Sequence, residues 1–219
     1  MTRCQQHAGH GVICVEMPAA AQRTRRRQPP EETRRQILEA AQELLREQSF
    51  RELGIDTLMS RTGHTRTVFY RHFDDVPALM LALIEDVGRE LVEVAEHWAQ
   101  TDRVGPDEAR ARLAGFVDFY VRHGPLVHAV SEASHHDAAV EAAYNGMVEG
   151  FVALTTQTIQ TRIDNGDLEP LDAPETARAL VRMLNGYLLD ALGRKGKTEP
   201  DRVLETVAMI WGRTLFPAG

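Results

Sequence analysis

The sequence predicts an all-α fold, on three observations. Apolar residues recur at i, i+3 or i+4 and i+7 through most of the chain, the period of a helix with one buried face. No run alternates apolar and polar residues with β-branched enrichment, so no strand is expected. Gly and Pro pairs cut the periodic stretches into about nine helices, three in an N-terminal head and the rest in a larger C-terminal domain.

Composition sets the class. The chain has 219 residues, 43% hydrophobic and 26% charged, which is ordinary for a globular protein with a core of its own. Its two cysteines, Cys4 and Cys14, both lie near the start, so no disulfide framework holds the body. With His7 and His10 between them they match no zinc spacing, so no metal or cofactor is expected. No stretch approaches the roughly 20 apolar residues of a membrane span. The apolar patch Val12 to Val15 is too short for a signal peptide, so a cytoplasmic location with no membrane partner is expected. The net charge is −7, but residues 1–75 hold 12 Lys+Arg against 10 Asp+Glu, and residues 76–219 hold 13 against 22. Basic charge at one end suits a polyanion there, while the acidic remainder discourages the body from sticking to it.

The elements follow in order. Residues 1–30 read as a flexible Arg-rich tail that ends Arg23-Thr-Arg-Arg-Arg-Gln-Pro-Pro. Its arginines are either a basic arm along DNA phosphates or in a minor groove, or a solvated charge run. Met17 is an alternative start that would drop both cysteines and keep the arginines. Glu31 and Glu32 suit a helix N-terminus, and Ile37, Ala41, Leu44 and Leu45 form one stripe of a first helix at about 32–47. A short second helix runs from Ile55 to Arg61, with Leu58 and Met59 facing inward. Gly63 breaks it, Thr65 caps a third helix over Arg66 to His72, and Asp74 or Asp75 caps the next. Two short helices joined by a Gly-bearing turn form a helix-turn-helix, which places a DNA-binding domain at 31–75.

The C-terminal domain, 76–219, holds the other six helices. They lie at about 75–100, 107–123, 125–134, 138–164, 173–193 and 200–215. Leu79, Leu83, Val87, Leu91, Val94 and Trp98 share one face of the first. Gly105-Pro106, Gly124-Pro125, Asn165-Gly166 and the loop Gly193 to Gly196 are the breaks. The last two helices carry apolar residues on more than one side: Ala177, Leu180, Leu184, Leu188 and Ala191, then Val203, Val207, Ile210 and Leu215. A second stripe suggests a partner helix, so a homodimer through these two helices is expected, as a four-helix bundle.

The third helix carries the chemistry. It is about two turns long, polar on one side and aromatic on the other, and the roughly 12 Å major groove of B-DNA admits one such helix. Arg66 suits a guanine edge or a phosphate; Thr65 and Thr67 suit a phosphate or a thymine methyl. The Tyr70 phenol reaches a phosphate, Arg71 and His72 lie where a backbone contact falls, and Gly54 lets a helix N-terminus approach a phosphate. Phe69 and Phe73 read as core, and Arg61 as a partner of its own helix's C-terminus.

The run FRELGIDTLMSRTGHTRTVFYRHFDDVPAL, Phe50 to Leu79, resembles the DNA-binding head of the TetR family of repressors. The shared features are Ile55, Leu58, Gly63, Thr65, the pair Phe69-Tyr70, His72-Phe73 and the acidic residues before Leu79. The chain departs from the family pattern at Met59, Thr62, His64 and Val76; Val76 stands where a phosphate-holding lysine is common. The resemblance implies a dimeric regulator that binds a double-stranded DNA operator and is released by a small ligand. Residues 180–216 and the stretch bearing Tyr144, Phe151 and Thr155 resemble an EthR-type C-terminal domain. That resemblance implies a hydrophobic tunnel lined at positions matching Phe119, Tyr144, Phe151, Thr155, Asn185 and Trp211, with Arg112 and Arg182 as departures in polarity. Asn185, among Leu180, Val181, Met183, Leu184, Leu188 and Leu189, needs a polar partner: a ligand, a carbonyl or a partner subunit.

Two other classes stay open. Glu132-Ala-Ser-His135 matches one half of a di-iron motif, but that site needs a second half, which the sequence lacks. A helical interaction module with a vestigial head would also carry a departure such as Val76.

Overall fold

A computed structural model of the chain describes residues 29–99, 106–194, 196 and 198–216. The cysteines, the histidines between them and the arginines of the tail lie outside the described residues, as does the side chain of Trp98. The described residues form eight α-helices and no strand. They are α1 (Pro30–Glu47), α2 (Ile55–Thr62), α3 (Arg66–Phe69), α4 (Val76–Ala99), α5 (Pro106–Ser134), α6 (Ala138–Asp164), α7 (Ala173–Leu192) and α8 (Pro200–Leu215). A single 3₁₀ turn, Phe50–Glu52, precedes α2.

Local chemistry sets the ends. Pro30 is the first residue of α1, where its missing N–H is one the helix would not use. Gly63 ends α2 in the left-handed region, φ 69°, which only glycine adopts at little cost. The His64 N–H then donates to the Met59 carbonyl at 3.1 Å and the Gly63 N–H to Ser60 at 3.2 Å, closing the turn. Asp75 caps α4 by accepting from the Ala78 N–H at 2.8 Å. Asp137 and Asp172 cap α6 and α7 in the same way. Asn165-Gly166 ends α6 as the sequence predicts.

One break does not occur. The segments predicted at 107–123 and 125–134 are one helix, α5, which runs through Pro125. A residue before proline is normally driven out of the helical region by its own Cβ, and Gly124 has none. Gly124 also sits against the end of α7: a Cβ there would lie 2.3 Å from the Leu192 carbonyl oxygen. The glycine serves close packing, and the helix continues.

The core is continuous from head to body. In the head, Ile37, Ala41, Leu44 and Leu45 of α1 meet Leu58, Met59 and Phe69, all buried. In the body α5 is the central helix and packs against α4, α6, α7 and α8. The head also touches α5, through α1 and the 3₁₀ turn. Helix α4 begins at the head and runs along the body, so it is shared by both.

Candidate DNA-reading face and ligand cavity

The helix-turn-helix holds α3 by its aromatic side. Phe69 is fully buried, with Tyr70 edge-on at 5.5 Å and Phe73 at 5.6 Å between ring centroids. Tyr70, one residue on, is 48% exposed. Backbone bonds from the Tyr70, Arg71, His72 and Phe73 N–H groups carry the turn past Phe69, so the predicted extent to His72 is a helix followed by tighter turns. Thr65, Arg66, Thr67 and Arg71 are exposed and His72 is half-buried. Thr65 stands at the cap position, but its side chain makes no capping hydrogen bond. Gly54 caps α2 with extended backbone, and a Cβ there would meet only the Thr57 hydroxyl at 3.8 Å.

Arg66 is pre-positioned. Its guanidinium donates to the Tyr70 hydroxyl and to Asp56, each at 3.1 Å, and lies 5.7 Å from the Tyr70 ring centroid. The Tyr70 hydroxyl first, then the Asp56 carboxylate, hold this guanidinium above its already high pKa. Asp56 is the one member of this cluster that sequence reasoning missed. Arg61 is paired through two 2.8 Å bonds with Glu47 of α1, so its hydrogen-bond partner is a neighbouring helix rather than the C-terminus of its own. The departures from the family pattern are packing residues. Met59 is buried, Thr62 donates to the Met59 carbonyl at 3.0 Å, His64 contacts Gln36 of α1 at 3.2 Å, and Val76 packs on the core.

The body holds a cavity of about 230 Å³ between α4, α5, α6 and α7. Its walls are mostly apolar and include Leu91, Phe116, Met147, Phe151 and Leu184. The polar residues on the lining are Glu96 and a chain of three side chains. The Tyr120 hydroxyl donates to Asn185 Oδ1 at 2.6 Å, and Asn185 Nδ2 donates to the Tyr144 hydroxyl at 2.9 Å. Burial first, and then neighbouring Tyr144, push the Tyr120 phenol well above its usual pKa, so it stays a neutral donor.

Of the six positions carried by the resemblance, Tyr144, Phe151 and Asn185 line this cavity. Phe119, Thr155 and Trp211 are fully buried behind it. Phe119 is one residue from Tyr120, a turn of about 100° that carries it off the wall. Trp211 stacks on the far side of Phe151, centroids 6.1 Å apart and rings 11° from parallel. Phe116 and Tyr120 are among the wall residues that sequence reasoning missed; the signal was their i, i+4 spacing with Gly124. Arg112 and Arg182 do not line the cavity: Arg112 holds the His97 carbonyl of α4 at 2.8 Å and Glu108 at 2.5 Å, and Arg182 pairs with Glu149 at 2.6 Å. Beside the cavity, Glu90 of α4 accepts from Arg122 and lies 2.9 Å from His123 Nε2 of α5. Burial works upward on that carboxyl, but these two partners hold it below its usual range.

An exposed short helix on a helix-turn-helix, joined to an all-helical body with a mostly apolar cavity open to one side, defines a class: DNA-binding regulators of transcription. Residues 37–83 match the family of bacterial regulatory proteins of the TetR type, and residues 109–217 match the C-terminal domain of the transcriptional regulator EthR. The chain belongs to the TetR family of transcriptional regulators, which are not enzymes, and resembles EthR. It is 27% identical over 186 residues to EthR of Mycobacterium tuberculosis, covering 82% of this chain and 85% of that one. To EthR of Mycolicibacterium smegmatis it is 24% identical over 183 residues, covering 82% and 84%. Among solved structures, the TetR family regulator PfmR from Thermus thermophilus superposes with a TM-score of 0.69 at 15% identity, covering 82% of this chain and 98% of that one. The fold is therefore shared well beyond recognisable sequence. Among the described residues no helix is long and apolar enough to cross a membrane.

Proposed function

We propose that the chain is a repressor that binds a near-palindromic operator as a homodimer and is released by a small, mostly hydrophobic ligand. Residues 31–75 form the DNA-binding unit and residues 76–219 the unit for ligand and dimer. The observation that carries this is the Arg66–Tyr70 pair, exposed on a helix whose other side is core. Arg66 reads a base edge or grips a phosphate in the major groove; Thr65, Thr67, Tyr70, Arg71, His72 and the backbone at Gly54 hold the flanking phosphates. Two copies pair through α7 and α8, whose outer faces leave Gly186 open and Met209 47% exposed. Such a pair presents its two α3 helices to major-groove segments roughly one helical turn, ~34–36 Å, apart or somewhat more.

The cavity narrows the ligand class. Two phenols and one amide share two hydrogen bonds, and whichever way the amide sits, one phenol hydrogen has no partner within the trio. As placed, that hydrogen belongs to Tyr144. A mostly apolar wall with a spare O–H donor, and with Glu96 also on its lining, fits a compact apolar molecule bearing a carbonyl or ether oxygen. Coupling runs through α4, which opens at the head and whose Gly88, Leu91 and Ala95 line the cavity. A ligand that fits the cavity best with α4 tilted moves the heads out of register by its differential affinity for the two states.

The test is fluorescence anisotropy of DNA from upstream of the protein's own gene, titrated with the full chain at several salt concentrations. Saturable binding that competitor DNA does not remove, and that falls in Arg66→Ala and Tyr70→Ala, supports the reading. Weak binding that competitor removes, from this DNA and from a genome-wide pool alike, would favour the interaction module.

A further inference from the structure

The two ends of the body's cavity are lined differently. Glu96, in the last turns of α4, is the only charged side chain on its lining. It shares one face of α4 with Gly88, Leu91, Val92 and Ala95, at the helical spacing i, i+3, i+4, i+7 and i+8. Glu96 is exposed and Val92 is 52% exposed; on α6, a Cβ at Gly146 or Gly150 would meet nothing within 4 Å. The cavity therefore opens between α4 and α6, with Glu96 at its mouth.

Two contacts set the level of Glu96 against α5. A Cβ on Gly115 would lie 3.4 Å from Val94, and Arg112 donates to the His97 carbonyl at 2.8 Å. Glu96 thus lies beside the turn of α5 that leads to Phe116. Phe116 packs on Phe151 with ring centroids 4.5 Å apart, and both rings line the cavity. Tyr120, where the polar chain begins, is one turn further along α5, about 6 Å. One end thus offers a carboxylate and two aromatic rings, and the other two phenols and an amide.

We propose that the ligand is a cationic amphiphile: an apolar body inside the cavity and a protonated amine at its mouth, beside Glu96. Its amine stands one to two helical turns from the oxygen that Tyr144 holds. Glu96 then sets the sign of the charge that the cavity accepts. This rests on the proposed role of the cavity as the ligand site, whether or not the head reads an operator.

Glu96 makes no hydrogen bond or ion pair among the described residues. Arg112 does not answer it: that guanidinium is held by the His97 carbonyl and Glu108, away from the lining. A cation gains from the carboxylate and from the ring faces, whereas a carboxylate-headed molecule meets a like charge. Residues 76–219 hold 22 Asp+Glu against 13 Lys+Arg, so the field of the body also draws cations.

The test is isothermal titration calorimetry of the full chain with octylamine, octanol and octanoate, at about pH 7, where the amine is protonated and the acid ionised. The three share one apolar body and differ in charge. Octylamine should bind most tightly and octanoate most weakly, and the preference should shrink as salt rises. Glu96→Gln should weaken octylamine about fivefold, as for an ion pair at a solvated rim, and leave octanol unchanged. Glu96→Lys should reverse the order of octylamine and octanoate. Glu93→Gln, a carboxylate of α4 off the lining, should change nothing. Unchanged octanol binding shows that each variant is folded. Octanol binding without a preference for octylamine, or a preference that survives Glu96→Gln, would overturn the proposal and leave the cavity a ligand site. Binding of none of the three would overturn the cavity's role and the proposal with it.

Discussion

The head and the body handle their polar residues in opposite ways. In the head, Arg66 and Tyr70 meet each other at the surface, in water, where their contact adds little to stability and leaves both free to meet DNA. In the body, buried Tyr120 meets the half-buried Asn185 and Tyr144 on the cavity wall, where a bond left unmade is costly. The difference teaches that the two functional regions should separate under mutation. Surface changes in the head should remove binding and spare the fold, while changes to the trio on the cavity wall should strike the fold first.

Predictions that would break or sharpen this contrast run from large to small. Phe69→Ala empties the aromatic anchor of α3 and should cost about 3–5 kcal/mol in urea unfolding, with DNA binding lost through the fold. Tyr120→Phe strips the donor from Asn185 Oδ1 and should cost about 1–3 kcal/mol, whereas Tyr120→Phe with Asn185→Leu should recover part of that loss. Gly63→Ala places a Cβ in open space at φ 69° and should cost about 1–2 kcal/mol from the left-handed backbone alone. Arg66→Ala should move stability by no more than about 0.5 kcal/mol. It should nevertheless weaken operator binding about tenfold or more, the worth of one good base or phosphate contact. If Arg66→Ala unfolded the head, or Tyr120→Phe were silent in unfolding, the contrast between the regions would fail.

The same contrast explains what was legible in the sequence. The stripe Ile37, Ala41, Leu44 and Leu45, the turn at Gly63 and the caps at Asp75 and Asn165-Gly166 are local, and each is where it was expected. Phe69 and Phe73 were readable as core because they are four apart in a short segment with only one side to bury. Pro125 misled because the Gly-Pro pair reads as a break, whereas Gly124, with no Cβ, relieves part of the pre-proline clash and packs closely on Leu192, a neighbour far away in sequence. The cavity wall was the hardest to read. In a helix packed against four others, Phe119 and Tyr120 are both buried, and periodicity cannot say which faces a cavity and which faces another helix. The tyrosine–asparagine chain joins α5, α6 and α7; Asn185 among apolar neighbours signalled the need for a polar partner, but nothing local named Tyr120 and Tyr144 as the partners.

The central claim is that α3 reads DNA through Arg66 as part of a two-fold dimer. The most direct measurement is selection of bound duplexes from a random-sequence pool by the full chain, wild type beside Arg66→Ala. The account predicts an inverted repeat enriched by the wild type and lost or shortened with Arg66→Ala. Enrichment of no motif, or of the same motif with both proteins, would contradict it.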